Sequence, residues 1–334
     1  MNTKVSILTP FKNTEDFISE CIQSVIDQTY QEWELLLIND HSIDNSKEIC
    51  KQFALNDTRI RVIDSPGDGI IQALRKAFLV SKGELITRMD SDDIMATQKL
   101  DCMINDLKNH GRGHVSLGLV KYFSKDGISD GYDRYEKWLN KLTREGSNYS
   151  EIYKECSIAS PCWMVYKDDL VVCKAFEPDD YPEDYDLTFR FYKNQIKCIP
   201  SNRILHYWRD YPTRTSRTHE HYAQNYFLGI KLKYFVELDY QQNRPLAIWG
   251  AGFKGKTVAK KLIERSIPFY WICDNPKKIG KHIYGQKMLP FQYLEKLNNP
   301  QSIITVANEL AQEEIRMYMT KQHMKPMQDY FMFC

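Results

Sequence analysis

The strongest constraint on this chain lies in its first ninety residues, where short apolar runs alternate with segments of helical periodicity. Residues 5–8 (VSIL) form a β-rich run that ends at Thr9-Pro10. Asn13 is a candidate N-cap with Glu15 and Asp16 in the first turn, and Phe17, Cys21 and Val25 then recur with Ile18, Ile22 and Ile26 at helical spacing. Residues 34–38 (ELLLI) read as a strand buried on both faces, ended by Asn39-Asp40. A second helix is expected over 44–54 and a third strand over 61–63. A third helix carries Ile70, Ile71, Leu74 and Phe78 and stops at Gly83. Such alternation predicts an α/β chain built on a doubly wound, mostly parallel sheet, whose ligands bind beyond the C-terminal ends of the strands. Pro10, Asp40 and a carboxylate cluster at 90–93 all fall at such ends.

That cluster, Met89-Asp90-Ser91-Asp92-Asp93, closes the run 84–88 (ELITR). If the run is a strand, Asp90 and Asp92 point to one place beyond its end. Carboxylates so close repel one another and need a counter-charge, and hard oxygen ligands suit Mg²⁺ or Mn²⁺, ions that also grip phosphates. The cluster therefore asks for a divalent cation and a phosphorylated ligand; a solvated acidic turn is the alternative.

Three segments, VSILTPFKN, ELLLINDHSIDNS and RMDSDD, together resemble the inverting glycosyltransferases of family 2, which have the GT-A fold. The resemblance extends over about residues 3–217. It implies that Thr9, Pro10 and Asp40 cradle a nucleotide base, that Asp90 holds the nucleotide and that Asp92 holds the metal ion. Where the family has an A-x-N-x-G-like segment, this chain reads Ala73-Leu74-Arg75-Lys76-Ala77. Arg75 is a candidate for a phosphate there, against the simpler reading of a solvated helix face. Residues 182–190 (PEDYDLTFR) resemble the family's E-D-x-D-L-x-x-R segment. Inverting transfer needs a carboxylate there because the acceptor hydroxyl must lose its proton as it attacks. The resemblance assigns that base to Asp184, with Glu183 as the alternative; a helix N-terminus that simply favours acidic residues accounts for both. Residues 204–209 (ILHYWR), followed by Arg214, Ser216 and Arg217, resemble the family's closing strand and loop. The planar guanidinium fork makes Arg209 and Arg217 candidates for the diphosphate. A late histidine serves some relatives as a further metal ligand, and His206, before His219 or His221, is the candidate here.

At 334 residues the chain exceeds the size at which one core usually stops growing. The expected division is a GT-A domain over 1–221, a helical linker over 222–244 and a smaller Rossmann-like α/β domain over 245–334. Gly250-Ala251-Gly252-Phe253-Lys254-Gly255 matches G-x-G-x-x-G between an apolar run and a helix over 258–264, with Gly252 expected at the close helix–strand contact. Residues 269–273 then lead to Asp274 at a second strand end, and strands over 302–306 and 330–333 complete a small sheet. This tail resembles the Rossmann-like modules appended to bacterial sugar-modifying enzymes. It has room for about one mononucleotide-binding half, which favours a structural or oligomerising role over NAD or another nucleotide.

Bulk properties mainly exclude. With 45 basic and 44 acidic residues the formal charge is +1, which argues against a broad nucleic-acid-binding face. No run approaches 18 apolar residues and the chain opens on a strand, so neither a membrane span nor a secretory signal is expected. Nine cysteines without C-x-x-C spacing suit a reduced compartment, the cytoplasm. Peripheral attachment at the inner face of the cell membrane and self-association through the tail stay open. Residues 111–160 are poorly periodic and are expected to form the acceptor side, with Trp163 and Trp208 as aromatic candidates.

The resemblance thus implies an inverting, metal-dependent enzyme (Mn²⁺ or Mg²⁺). It would move a sugar from a nucleotide-sugar, most often a UDP-sugar, to a glycan or lipid-linked glycan in bacterial surface polysaccharide synthesis. Two rivals remain. A nucleotidyltransferase needs a glycine-rich loop after the first strand, where Thr9-Pro10-Phe11-Lys12-Asn13 has none. An NAD-dependent enzyme or nucleotide-sensing module centred on residues 250–255 predicts ligand binding by the tail and nothing special at Asp92.

Overall fold

The elements β1 (Val5–Phe11), α1 (Ile18–Ile26), β2 (Trp33–Asn39), α2 (Ser46–Asn56), β3 (Ile60–Asp64), α3 (Ile70–Val80) and β4 (Leu85–Arg88) follow one another in a computed structural model that describes residues 3–214, 217 and 227–334. β1 and β2 are buried at every position, as strands covered on both faces must be. Their side chains divide between two cores. Val5, Ile7, Leu35 and Leu37 pack with Ile18, Cys21, Ile22 and Val25 of α1, whereas Leu8, Leu36 and Ile38 meet Ala73, Leu74 and Ala77 of α3. That two-sided burial is the physical content of the doubly wound arrangement.

These elements belong to the first of two compact units, Met1–Tyr149 with Ser157–Thr218. Its sheet has the order β3-β2-β1-β4-β8-β6-β9, completed by β6 (His114–Leu117), β8 (Trp163–Tyr166) and β9 (Lys197–Ile199). β1 to β4 run parallel, while β8 is antiparallel to both β4 and β6. A second sheet, β5-β10-β7, joins β5 (Ile94–Met95), β7 (Leu119–Phe123) and β10 (Ile204–Arg209). The expected closing strand therefore lies in this small sheet, where His206 pairs with Met95. The remaining helices of the unit are α4 (Lys99–His110), α5 (Asp130–Glu145), α6 (Lys167–Val172) and α7 (Glu183–Lys193).

Several local readings change. Asn13 does not cap α1: it sits at φ 52°, its side-chain oxygen accepts from the Ile43 N–H at 2.9 Å, and the helix begins at Ile18. The poorly periodic stretch 111–160 contains β6, β7 and the sixteen-residue α5. The inward face of α5 carries polar groups that bond the backbone of β7. Glu136 accepts from the Tyr122 N–H at 2.7 Å, and Asn140 bonds both the N–H and the carbonyl of Val120 at 2.9 and 2.8 Å. An apolar period is thus partly replaced by a hydrogen-bonded one.

The second unit comprises Ser150–Cys156 and His219–Cys334. Its sheet, β13-β14-β12-β11-β15-β16, is built from β11 (Leu246–Trp249), β12 (Tyr270–Cys273), β13 (His282–Ile283), β14 (Gln286–Pro290), β15 (Gln301–Ile304) and β16 (Tyr330–Met332). All neighbours are parallel except the edge hairpin β13–β14. The helix Phe253–Glu264 starts at the glycine turn itself. Gly255, and not Gly252, makes the close contact. A Cβ on Gly255 would lie 2.2 Å from the Gly250 carbonyl oxygen, whereas one on Gly252 meets open space. Within this unit Tyr153 is fully buried, stacked on Phe333 at 5.3 Å, and its hydroxyl donates to Asp239 at 2.6 Å. The helices Phe227–Tyr234 and Phe235–Asp239 cluster with it too, so the described part of the expected linker 222–244 packs with the tail. No helix among the described residues is long and apolar enough to cross a membrane.

Gly83 is required by close approach. Ser6 Oγ accepts from the Gly83 N–H at 2.8 Å and donates to the buried Glu34 at 2.6 Å, and a Cβ on Gly83 would stand 2.5 Å from the Ser6 nitrogen. Gly83→Ala is expected to lower stability by about 1–3 kcal/mol, the usual cost of overpacking. Denaturant unfolding measures it, and an unchanged midpoint contradicts the close approach.

Candidate active site

Arg88 stands at the C-terminal end of β4, the central strand, and the chain then turns through Asp90, Asp92 and Asp93. Arg88 is buried, 5% exposed, and its guanidinium faces two ways: Nε donates to Asp90 Oδ1 at 2.8 Å and Nη1 to Glu183 Oε1 at 2.9 Å. One cation thus joins the acidic turn to the head of α7, 95 residues away in sequence. Ser160 adds a hydroxyl to Asp90 Oδ2 at 3.3 Å. Burial alone would raise the Asp90 carboxyl, but the guanidinium groups of Arg88 and Arg214 outweigh it and hold it below the usual range.

Asp92 and Asp93 are less well compensated. Burial first, then the charges of Asp93 and Asp90, push Asp92 up to about 7; its Oδ2 accepts from the Tyr211 hydroxyl at 2.8 Å. Asp93 is fully buried and burial pushes it up to about 8, against the nearby Arg214 and the Arg209 N–H that donates to it at 2.7 Å. His206 lies beneath, with Nε2 2.9 Å from Asp93 Oδ2; burial and Lys99 hold this imidazole well below its usual value, hence neutral. Its Nδ1 is buried without a hydrogen-bond partner among the described residues. With Nε2 on Asp93, Nδ1 is the ring's remaining donor or acceptor.

On the opposite side, α7 begins at Glu183 after Pro182, and Glu183, Asp184 and Asp186 occupy its first turn, where the helix dipole favours them. Glu183 is 6% exposed and its Oε2 has no hydrogen-bond partner among the described residues. Asp184 is half-buried; burial and the Glu183 charge push it up to about 7, against Arg88. The two acids of the pair thus differ: Glu183 is bound to a cation, and Asp184 is poised to exchange a proton near neutrality.

The nucleotide-side candidates separate. Thr9 and Pro10 are buried in β1, and Thr9 Oγ1 has no hydrogen-bond partner among the described residues. Asp40 follows β2, accepts from the Gly69 N–H at 2.9 Å and lies 3.6 Å from Lys12. Three other expected groups are already engaged. Arg75 donates to the carbonyls of Phe176 and Glu177 at 2.7 Å and to Asp179 at 2.9 Å, fastening the loop that precedes α7. Arg209 donates to the Asp92 carbonyl at 2.7 Å and pairs with Glu20, so it braces the acidic turn. Arg217 makes a two-point pair with Asp210 at 2.8 and 2.6 Å. Ser216, His219 and His221 lie outside the described residues. Trp163 is core, edge-on to Phe191 at 6.2 Å, and Trp208 is buried and stacked on Tyr122 at 5.1 Å.

Four contributors escaped the sequence reading. Arg88 was read only as part of a strand, and Tyr211 and Ser160 carried no motif. Lys99 is a fully buried ammonium that donates to the Pro161 carbonyl at 2.5 Å, beneath the same turn. A lone basic residue on a helix gives no sign of that burial. Among the described residues one group of three ligand atoms converges within 4.8 Å, and it is Asp40, His41 and Asp68, mostly exposed, at the other strand end. Among the described residues the acidic turn brings no three such atoms that close together, so a cation held there by Asp92 would need oxygens from a substrate phosphate; burial and the charges of Asp93 and Asp90, which push the Asp92 carboxyl up, are what such an ion would relieve.

Comparison with known proteins places the chain among glycosyltransferases. The chain is 34% identical over 128 residues to the glycosyltransferase GlyG of Streptococcus pneumoniae, covering 38% of this chain and 42% of that protein, so it spans about two fifths of GlyG. It is 29% identical over 251 residues, 73% of this chain and 88% of the other, to the UDP-Glc:alpha-D-GlcNAc-diphosphoundecaprenol beta-1,3-glucosyltransferase WfgD of Escherichia coli. The structure of S. aureus TarS 1-349 in complex with UDP-GlcNAc superposes with a TM-score of 0.55 at 19% identity over 78% of this chain and 71% of that one, which establishes the GT-A fold. The family model of glycosyl transferase family 2 matches residues 6–172, half of the chain, from β1 through the acidic turn to α6, and the chain belongs to that family.

Proposed function

We propose that the chain is an inverting, metal-dependent transferase that moves a sugar from a nucleotide-sugar, a UDP-sugar first, to a glycan or lipid-linked glycan acceptor in surface polysaccharide synthesis. The observation that carries this reading is the Arg88 fork, which fixes the acidic turn and the Glu183-Asp184 pair on one guanidinium. The names of WfgD and of the TarS complex, which specify UDP-sugars and, for WfgD, a lipid-diphosphate acceptor, support the choice of donor and acceptor.

In this reading Thr9, Pro10 and Asp40 receive the base, Asp90 the nucleotide, and Asp92 the cation. A Mn²⁺ or Mg²⁺ ion bound there supplies positive charge to the departing diphosphate. Asp184 takes the proton of the acceptor hydroxyl, whose oxygen bonds to the anomeric carbon from the face opposite the diphosphate. The bond from that carbon to the diphosphate oxygen breaks, and the nucleoside diphosphate leaves. His206 acts on the turn through Asp93, with Nδ1 as its remaining donor or acceptor. Arg75, Arg209 and Arg217 position loops, and any contact with phosphate requires them to exchange partners.

Removing the cation's carboxylate isolates the metal. Asp92→Asn is expected to abolish transfer and to erase the Mn²⁺-dependent share of the thermal stabilisation by a nucleotide-sugar, about 2.7 kcal/mol at a hundred times its dissociation constant. A panel of nucleotide-sugars run with and without Mn²⁺ reads both, and full transfer in EDTA rejects the assignment.

Asp184→Asn is expected to lower kcat by roughly 10²-fold or more while donor affinity changes little. If Glu183→Gln does this instead, the two roles exchange. The base must be ionised, and Asp184 is pushed up to about 7, so transfer should rise as pH increases through about 7 and fall below it. A kcat profile whose acid limb lies in the ordinary carboxylate range contradicts this role.

Arg88→Met leaves Asp90 and Glu183 buried without their shared cation. The expected destabilisation is about 3–5 kcal/mol, the cost of breaking one side of a buried pair. Arg88→Lys keeps a charge but loses the fork, and should fold while losing kcat. Equal unfolding midpoints for wild type and Arg88→Met disprove the shared pairing.

A further inference from the structure

The second unit holds a concentration of charge that the transfer mechanism does not use. Residues 254–287 contain nine lysines and arginines against Glu264 and Asp274, in a chain whose formal charge is only +1. The near-neutral total therefore conceals a strongly basic segment balanced by an acidic remainder. On the helix Phe253–Glu264, the positions of Phe253, Lys256, Lys260 and Ile263 fall on one stripe, three or four residues apart. Phe253 is 70% exposed and Ile263 40%. The stripe continues onto the edge hairpin: the Lys260 ammonium sits 4.9 Å from the centre of the Tyr284 ring, and Tyr284, 44% exposed, is the turn residue between β13 and β14. Lys281 and Lys287 flank that turn and are exposed. Exposed apolar groups and ammonium groups thus share one face.

Each half of that pattern has a physical meaning. Clustered lysines attract anionic headgroups, and exposed rings and aliphatic tips among them enter the headgroup and acyl boundary, where stems and rings are apolar and heads remain wet. A nucleic acid would also meet the charge. It offers nothing to Ile263, which has no π-face on which a base can stack. We propose that the face formed by Phe253, Lys256, Lys260, Ile263 and the Tyr284 hairpin seats on a bilayer surface bearing anionic headgroups. The surface names the site of membrane attachment; its purpose, access to a lipid-linked acceptor, rests on the function proposed above.

Co-sedimentation of the full chain with vesicles tests this. Binding is expected to vesicles containing phosphatidylglycerol and not to phosphatidylcholine alone, and to weaken as salt shortens the screening length. Lys256→Glu with Lys260→Glu should weaken it by about 25-fold or more, from about fivefold per lysine near the surface. Phe253→Ser should weaken it in a way that added salt does not reproduce. Phe253 and Lys260 are exposed and Lys256 is half-buried, outside the core, so melting temperature and transfer to a detergent-dispersed acceptor should not change. Wild type that ignores anionic vesicles, variants that bind as well as wild type, or binding to a single-stranded oligonucleotide without binding to vesicles each overturn the inference. Vesicle binding by a protein that transfers no sugar refutes the proposed function and leaves the membrane surface standing; transfer without vesicle binding does the reverse.

Discussion

A single buried guanidinium organises the first unit. Arg88 ends the central strand β4, and the acidic turn begins two residues later. Its planar fork is the only side-chain chemistry that can hold two carboxylates at fixed angles from one cation. Burial makes the arrangement strict, because neither carboxylate can relax into water if the cation is lost. The order of the sheet supplies the rest. β4 lies between β1 and β8, so the turn leaves the middle of the sheet, and α7 meets it on the side of the core lined by Leu187 and Phe191.

Around that fork the first unit gathers more negative charge than its own cations neutralise. Asp90, Asp92, Asp93, Glu183 and Asp184 are answered by Arg88, the buried Arg214 and Lys99, whose own ammonium burial pushes towards neutrality. Burial first, and then these neighbouring charges, push Asp92, Asp93 and Asp184 up. Among the described residues Thr9 Oγ1, His206 Nδ1 and Glu183 Oε2 are buried polar atoms without hydrogen-bond partners, on residues of the candidate site. Orphaned groups of this kind cost free energy in the fold, which a ligand that bonds them would recover.

The second unit shows how sequence order can hide a domain's membership. Ser150–Cys156 leaves the first unit's sequence to join the C-terminal sheet, where Tyr153 fills a space between Phe235, Phe331 and Phe333. Lys231 donates to the Lys154 carbonyl at 2.7 Å, and Arg316 pairs with Glu151 at 2.6 Å. The tail therefore has a seven-residue component that no boundary drawn at Pro245 contains. Cutting the chain there removes Phe331 and Phe333, two of the three rings packed on Tyr153.

The sequence by itself determined the doubly wound core, because strands buried on both faces and helices of period 3.6 write their pattern locally: residues 34–38, α1 and the run into Asp90 needed no distant information. It determined the glycine turn at 250–255 and the acidic cluster for the same reason. It misread α5, whose inward Glu136 and Asn140 bond a strand's backbone, since a period made of hydrogen bonds looks like solvent-facing polarity. Gly252 and Gly255 were indistinguishable until the helix was laid against β11. Tertiary structure alone decided that Arg88 spans Asp90 and Glu183, that His206 meets Asp93 through the pairing of β10 with β5, and that Arg75, Arg209 and Arg217 have carboxylate or carbonyl partners. A charged side chain reads the same in sequence whether water or a buried counter-ion surrounds it, and that environment exists only after the chain has folded.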